Sequence, residues 1–348
     1  MSNIVFTGGG TAGHYMPNLA IIPLVKDNFD KVYYIGSENG PERQAATSAG
    51  VSYYAVTSAK LKRSLDLKNL AIPFKLYKGV KQAEAVLREI EPKVIFSKGG
   101  YVALPVAIAS KKLNIPLVIH ESDLSMGLAN KIASRFSTKV LTSFEKTAES
   151  VKNAEYVGAP LRRELFIKRD RAAILKKIGI SSNGKKTILV TGGSQGSANI
   201  NVNLEKCLDK LIIDYNVIHL CGKGKATGTR RKGYVQFEFY ADMGELFAVS
   251  DLAVSRGGAN TLFELIALCV PTLAIPLSKG SRGDQIANCE YFKGKGYLHV
   301  LPDDELTPEK LHREIKLLDK SADILKKNCA KSGIKDGTKR IAEYLVNV

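Results

Sequence analysis

The residues best suited to chemistry lie on two loops of one design, GGGTAGH at residues 8–14 and GGSQGS at residues 192–197. Each follows a short β-branched run, Ile4-Val5-Phe6 or Thr187-Ile188-Leu189-Val190, and each precedes a helix-like stretch. Strand, tight turn and helix in that order aim unpaired N–H groups and the positive end of a helix dipole at the turn, and glycine lets the backbone approach a ligand closely. Two such loops predict two Rossmann-like halves holding an anionic ligand between them. The first loop also fits G-x-G-x-x-G (Gly8, Gly10, Gly13), with Glu38 where a dinucleotide enzyme keeps its ribose-binding acid, which would suggest a nicotinamide oxidoreductase. His14 argues against that reading, because a dinucleotide turn continues with small or apolar residues. A second mononucleotide-type loop is equally foreign to a simple dehydrogenase.

The elements that must position these loops are two domains' worth of chain: 348 residues, 45% of them apolar. Candidate strands fall at 4–7, 31–35, 94–96, 117–120, 140–142 and 156–157, then at 187–190, 216–220, 235–237, 252–255 and 272–275. Strands that are apolar throughout and alternate with helix-length segments predict parallel sheets covered on both faces. A polar break at about residues 158–184 marks the join, which divides the chain into 1–161 and 162–337. A last helix near 338–348 has no strand of its own to cover and is expected to pack back on the first domain. The start, MSNIVFTGGG, lacks a basic n-region and reads as a buried strand, and the longest uncharged stretch (265–278, with Pro271 and Pro276) is shorter than the roughly 20 residues of a spanning helix. Five cysteines without C-x-x-C spacing point to buried thiols in a reducing compartment, the cytoplasm.

A formal charge of +17 calls for a partner. Nucleic acid is not indicated, since the chain has no Trp, no RNP-like aromatic cluster, no zinc-finger spacing and no basic tail. The charge concentrates at residues 58–82, where Lys60, Lys62, Arg63, Lys68, Lys75, Lys78 and Lys81 interleave with leucines and Phe74 around the single acid Asp66. That describes either an amphipathic surface for anionic lipid headgroups or a solvated helix whose apolar side is core.

Further clusters follow later strands: SKGGYVALP (97–105), HESDLSMGLANK (120–131), VGAPLRREL (157–165), SRGGANTLFEL (255–265) and SRGDQIANCEYF (281–292). Open α/β sheets place their ligands at these strand ends. Together with the two glycine loops, and in this order from residue 4 to about residue 300, the clusters resemble the UDP-N-acetylglucosamine transferases of peptidoglycan assembly, two-Rossmann-domain glycosyltransferases of GT-B type. The resemblance implies an α/β fold with two parallel sheets facing each other across a cleft. It also implies an inverting transfer of N-acetylglucosamine from UDP-GlcNAc to the 4-hydroxyl of N-acetylmuramyl-pentapeptide on a polyprenyl pyrophosphate, at the cytoplasmic face of the membrane.

The resemblance further implies residue roles. The second half grips the donor through Arg162, Ser194, Tyr240, Arg256, Gly258, Ala259, Asn260, Glu264, Asp284 and Gln285, with Asn288 nearby and Thr11, Ala12 and Gly13 reaching it from the first half. Glu264, one helical turn beyond Asn260, would accept both ribose hydroxyls, and the Arg256 guanidinium suits the pyrophosphate. Gly99, Gly100, Tyr101, Asp123 and Asn130 face the acceptor. Inverting transfer needs a base for the attacking hydroxyl, and His14 is the candidate: a helix N-terminus disfavours imidazolium, so it is expected neutral. A positioning role for His14 is the competing reading, and His120 and Glu121 are expected to assist. The membrane patch would comprise Lys60, Lys62, Arg63, Lys68, Phe74, Lys75 and Lys78.

No D-x-D run occurs and the acids do not cluster with histidines, so neither a metal nor another cofactor is required by the sequence. The chain departs from the family pattern in reading Ala12-Gly13 before the histidine, Ala159-Pro160 before Arg162, and Asp123 in place of an asparagine. An ionised Asp123 near an anionic donor would be unfavourable. A transferase acting on another lipid such as diacylglycerol, and a UDP-GlcNAc 2-epimerase, remain as alternatives.

Overall fold

The structure is a computed structural model that describes residues 2–59, 71–181, 183–193, 195–278 and 282–348. It divides into two compact units, Met1–Leu161 with Lys335–Val348, and Arg162–Ile334.

The first unit holds seven strands: β1 (Asn3–Thr7), β2 (Lys31–Gly36), β3 (Ser52–Ala55), β4 (Pro92–Ser97), β5 (Leu117–Glu121), β6 (Lys139–Thr142) and β7 (Ala154–Tyr156). Every pairing is parallel, in the order β3-β2-β1-β4-β5-β6-β7. Helices α1 (Ala12–Val25), α2 (Pro41–Ser48), α3 (Ile72–Ile90), α4 (Ala103–Lys112), α5 (Leu128–Ala133) and α6 (Glu145–Glu149) return the chain between strands. The inner strands are apolar on both faces because a core covers each face. Ile4 and Phe6 point into one core with Ile21 and Val25, while Val5 and Ile95 point into the other with Leu87 and Val106.

The second unit repeats the plan with α7 (Arg171–Lys177), β8 (Lys186–Thr191), α8 (Ala198–Asp214), β9 (Tyr215–Leu220), β10 (Tyr234–Phe237), α9 (Met243–Ala248), β11 (Leu252–Ser255), α10 (Ala259–Ala267), β12 (Thr272–Ala274), α11 (Asp284–Gly294), β13 (His299–Val300) and α12 (Pro308–Ala330). Its parallel sheet runs β10-β9-β8-β11-β12-β13. Both orders reverse at the first strand of the unit, so the crevice for a ligand lies at the carboxyl ends of β1 and β4 in one unit and of β8 and β11 in the other. The last helix, α13 (Thr338–Asn347), belongs to the first unit, where Ile341, Ala342 and Leu345 complete the α1-side core. The Gly337 N–H donates to Ala159 O (2.8 Å) and the Thr338 hydroxyl to Leu161 O (3.0 Å), which fixes its entry.

Candidate active site

In the first unit three loops meet at the β1/β4 switch point, and the packing there is close enough to demand glycine. Gly100 has φ +82°, and a Cβ on it would fall 2.6 Å from Gly9 O and 3.1 Å from the His14 ring. The glycine loop after β1 is held from below by Tyr34, whose hydroxyl donates to Gly8 O (2.6 Å), and by Asn18, whose amide donates to Thr7 O (3.2 Å). Its Gly10 N–H donates to Oε2 of Glu42 (3.1 Å), a fully buried carboxylate on α2 whose Oε1 accepts from Ser37 N (3.0 Å) and from the Ser37 hydroxyl (2.5 Å). The protein's own acid thus occupies a donor that a dinucleotide pyrophosphate would need, and Glu38 is exposed beyond β2. Both facts weigh against the nicotinamide reading.

His14 stands in the first turn of α1, partly exposed, with Nδ1 3.3 Å from Lys98 O. A carbonyl accepts and never donates, so this contact places a hydrogen on Nδ1. Tyr101, after β4, lays its ring beside Gly10, 2.6 Å from where a Cβ there would stand. Burial and the Glu42 charge raise its pKa above the usual phenol value.

Two sequence assignments need correction. His120 is fully buried on β5, with Nε2 3.3 Å from Gly158 O, and burial followed by the charge of Lys98 drives its pKa well below the usual imidazole value. It is a neutral wall residue with no exposed surface. Glu121 is also buried: Oε1 accepts from Asp123 N (3.0 Å), and Oε2 accepts from Gly127 N (3.0 Å) and the Asn130 amide (3.0 Å). Its role is to fold the β5–α5 loop that presents half-exposed Asp123. Asn130 is a buried part of the same brace, donating also to His120 O (3.3 Å).

Glu42 is one residue that sequence reasoning missed, and Lys98 is a second. The Lys98 side chain lies under the loops, 1% exposed, and its ammonium donates to the Ser122 hydroxyl. Burial lowers its pKa to about 8 against the opposing pull of Glu121 and Asp123.

In the second unit Glu264 lies on α10 with both oxygens engaged by one guanidinium: Arg162 Nε donates to Oε1 (2.9 Å) and Nη2 to Oε2 (3.1 Å). Each carboxylate oxygen retains acceptor capacity, so the fork aims Glu264 without exhausting it. Arg162 therefore holds the Glu264 carboxylate in place. Arg256 departs further from its expected part. Its guanidinium is buried and donates to Asp303 Oδ1 (2.6 Å), Ile275 O (3.0 Å) and the Ser197 hydroxyl, tying the β11 and β12 ends to the N-cap of α8. Both Nη atoms of this guanidinium are thus engaged within the unit. What the turn offers an anion is the backbone at the α10 start, Gly258, Ala259 and Asn260.

Lys225, also missed, braces the second glycine loop by donating to Gln195 O (2.8 Å) and Gly196 O (3.3 Å). The Gln285 amide oxygen accepts from Leu277 N (3.0 Å), which leaves its NH₂ as the donor end. Asp284 opens α11, accepts from Arg282 N (3.1 Å) and pairs with the Arg282 guanidinium (3.4 Å). The buried Asn288 amide donates to Gly257 O (3.3 Å) and so holds the turn before α10 from behind. The Tyr240 hydroxyl donates to Glu245 Oε2 (2.5 Å), and Lys177 sits 5.9 Å over its ring. Ser194 lies outside the described residues, as do Lys60, Lys62, Arg63 and Lys68. In the described part of the basic stretch, α3 exposes Phe74 (72%) and Tyr77 (60%) with Lys75, Lys78 and Lys81.

Residues 4–142 match the N-terminal domain of glycosyltransferase family 28, and residues 187–344 match its C-terminal domain. The chain belongs to glycosyltransferase family 28. Two curated relatives within it carry the name UDP-N-acetylglucosamine–N-acetylmuramyl-(pentapeptide) pyrophosphoryl-undecaprenol N-acetylglucosamine transferase. That of Clostridium kluyveri is 42% identical over 352 residues, 99% of each chain. That of Oceanobacillus iheyensis is 43% identical over 352 residues, covering 99% of this chain and 98% of the relative. Among solved structures, MurG of Acinetobacter baumannii superposes over all of both chains with TM-score 0.77 at 23% identity. A UDP-GlcNAc 2-epimerase of Neisseria meningitidis, bound to UDP-GlcNAc, does so with TM-score 0.71 at 13% identity. At those identities the family shares its fold with both a transferase and an isomerase, and the fold alone does not separate them.

Proposed function

We propose that this glycosyltransferase moves N-acetylglucosamine from UDP-GlcNAc to the 4-hydroxyl of polyprenyl-pyrophosphoryl-N-acetylmuramyl-pentapeptide, with inversion. The observation that carries the reading is the 42% identity over 99% of both chains with a transferase named for that reaction.

The geometry supports a division of labour. The second unit takes the donor: Glu264, aimed by Arg162, accepts the ribose diol, the α10 start receives the diphosphate, and Asp284 and the Gln285 NH₂ meet sugar hydroxyls. Tyr240 stands beside the uracil. The first unit takes the acceptor beside Gly99, Gly100, Tyr101 and Asp123. His14 Nε2 removes the proton of the attacking hydroxyl as its oxygen forms the bond to the anomeric carbon. The bond to the β-phosphate oxygen breaks with its electron pair, and UDP leaves as the backbone N–H groups stabilise the charge. Phe74, Tyr77, Lys75 and Lys78 rest on the anionic cytoplasmic leaflet, where the polyprenyl acceptor is confined.

Incubation of labelled UDP-GlcNAc with the lipid-linked muramyl acceptor should carry label into the lipid fraction. Label confined to free N-acetylmannosamine, with UDP released in the absence of acceptor, would replace the reading with a 2-epimerase. Label appearing only on added diacylglycerol would replace the acceptor.

A further inference from the structure

The glycine loop after β8 leans on the turn that follows β9. A Cβ on Gly196 (φ +67°) would run into Cys221 O, and one on Gly222 (φ +94°) would fall 2.5 Å from Gln195 O. Lys225, on the same turn, donates to Gln195 O and Gly196 O, yet it is exposed and pairs with no carboxylate among the described residues. Its charge therefore stands beside the glycine loop uncancelled. Behind the turn runs a buried polar chain centred on His219 of β9, which is 2% exposed. Asn201 on α8 donates its amide N–H to Cys221 O (2.9 Å), so its oxygen is the atom that faces His219 Nε2 (3.0 Å), and Nε2 carries the hydrogen. On the other side of the ring, Nδ1 accepts from the Tyr234 hydroxyl (2.9 Å) and from the Gln236 NH₂ (3.3 Å), while the Gln236 oxygen accepts from Thr227 N (2.9 Å). Burial, against the pull of Glu205, lowers the His219 pKa to about 4, which keeps the ring in the neutral form this chain requires. A fully satisfied buried network rigidifies what it connects, and this one connects both ends of the turn, Cys221 and Thr227, to α8.

We propose that His219 is a positioning residue for the donor diphosphate: it fixes the turn at 221–227 so that the Lys225 ammonium stays on the glycine loop and attracts the phosphates of the nucleotide. The inference rests on the donor reading of the second unit. His219 touches no substrate in this account, and Lys225 supplies a fixed charge beside the diphosphate without taking part in bond making or breaking. The base and ribose of the nucleotide, bound elsewhere in the unit, do not depend on either residue.

The test is the affinity of UDP and of uridine, which lacks the phosphates, measured by competition against labelled UDP-GlcNAc for the wild type, K225M, H219Q, Y234F and H219Q/K225M. K225M should weaken UDP by about tenfold, the order expected of one charge-assisted contact, and leave uridine within about twofold. H219Q should do the same, because a glutamine cannot meet both sides of the imidazole's network, and Y234F, which removes one donor to Nδ1, should fall between H219Q and the wild type. The double variant should bind UDP about as K225M does, since without the ammonium there is no charge left to place. Losses that add in the double variant, UDP and uridine weakened equally by H219Q, or a K225M protein with unchanged UDP affinity would overturn the proposal. Should H219Q not fold, as judged by melting, Y234F and K225M decide: UDP weakened in both while uridine holds supports the proposal, and any other pattern overturns it. A wild type that binds no UDP-GlcNAc, or binds UDP no more tightly than uridine, overturns the donor reading itself, a result distinct from a nucleotide-binding protein with additive losses.

Discussion

The two glycine loops share a backbone plan and differ in what the protein puts behind them. Behind the loop after β1 stands an acid, Glu42, on Gly10 N–H. The loop after β8 is braced by cations instead, Lys225 on its carbonyls and Arg256 on Ser197. A loop already satisfied by an internal carboxylate repels a second anion, whereas the Lys225 charge, held on backbone carbonyls, favours one, the Arg256 charge being met by Asp303. The difference teaches that one backbone plan can be tuned to opposite charge by residues outside its glycine motif. That contrast is what the proposed division of labour requires, with a diphosphate donor on the second unit and a neutral attacking hydroxyl on the first.

That contrast can be broken most severely at His14. His14→Ala should lower kcat by about 10²–10⁴-fold with UDP affinity unchanged, as read by steady-state kinetics and calorimetry. A variant retaining most of its kcat would reduce His14 to a positioning residue. On the other unit, Glu264→Ala should cost about 2–4 kcal/mol of UDP binding, because it removes charge-assisted acceptors and leaves Arg162 unpaired. Unchanged UDP calorimetry in the folded variant would withdraw the ribose assignment. Glu42→Gln turns an amide donor toward N–H groups that now meet oxygen, so the first unit should lose about 1–3 kcal/mol, a melting-point fall of roughly 2–10 °C. UDP affinity should stay intact, and a fall in that affinity instead would mean that the two loops are not independently tuned. The smallest effect is expected at the surface: K75E/K78E should weaken binding to anionic vesicles by about 1 kcal/mol per lysine at low salt. Equal vesicle binding by wild type and variant would count against the exposed face of α3 as a membrane contact.

Much of this fold was legible because its strands are continuous apolar runs between helices, a pattern that a doubly covered parallel sheet requires. The strands that escaped, β3 and β13, are sheet edges. One is only half-buried and the other is two residues long, so neither leaves a run to recognise. At the site, sequence order identified the loops but not the direction of charge within them. On β5 every residue is buried, so alternation could not reveal that His120 is a wall and Glu121 a brace. Arg256 reads as a phosphate grip in its own motif, and the acid that claims it, Asp303, comes 47 residues later. Glu42 and Lys98 were invisible for the same reason: their meaning lies in partners brought together by the sheet, and spacing does not encode that.

The measurement closest to the central claim is the single-turnover rate of label transfer to the lipid acceptor as UDP-GlcNAc is raised to saturation, for His14→Ala and Glu264→Ala side by side. If the second unit binds the donor and the first performs the chemistry, Glu264→Ala should climb back towards the wild-type rate at high donor while His14→Ala stays slow at every concentration. A Glu264→Ala enzyme that remains as slow as His14→Ala under saturating donor, or a His14→Ala enzyme rescued by more donor, would contradict the division of labour.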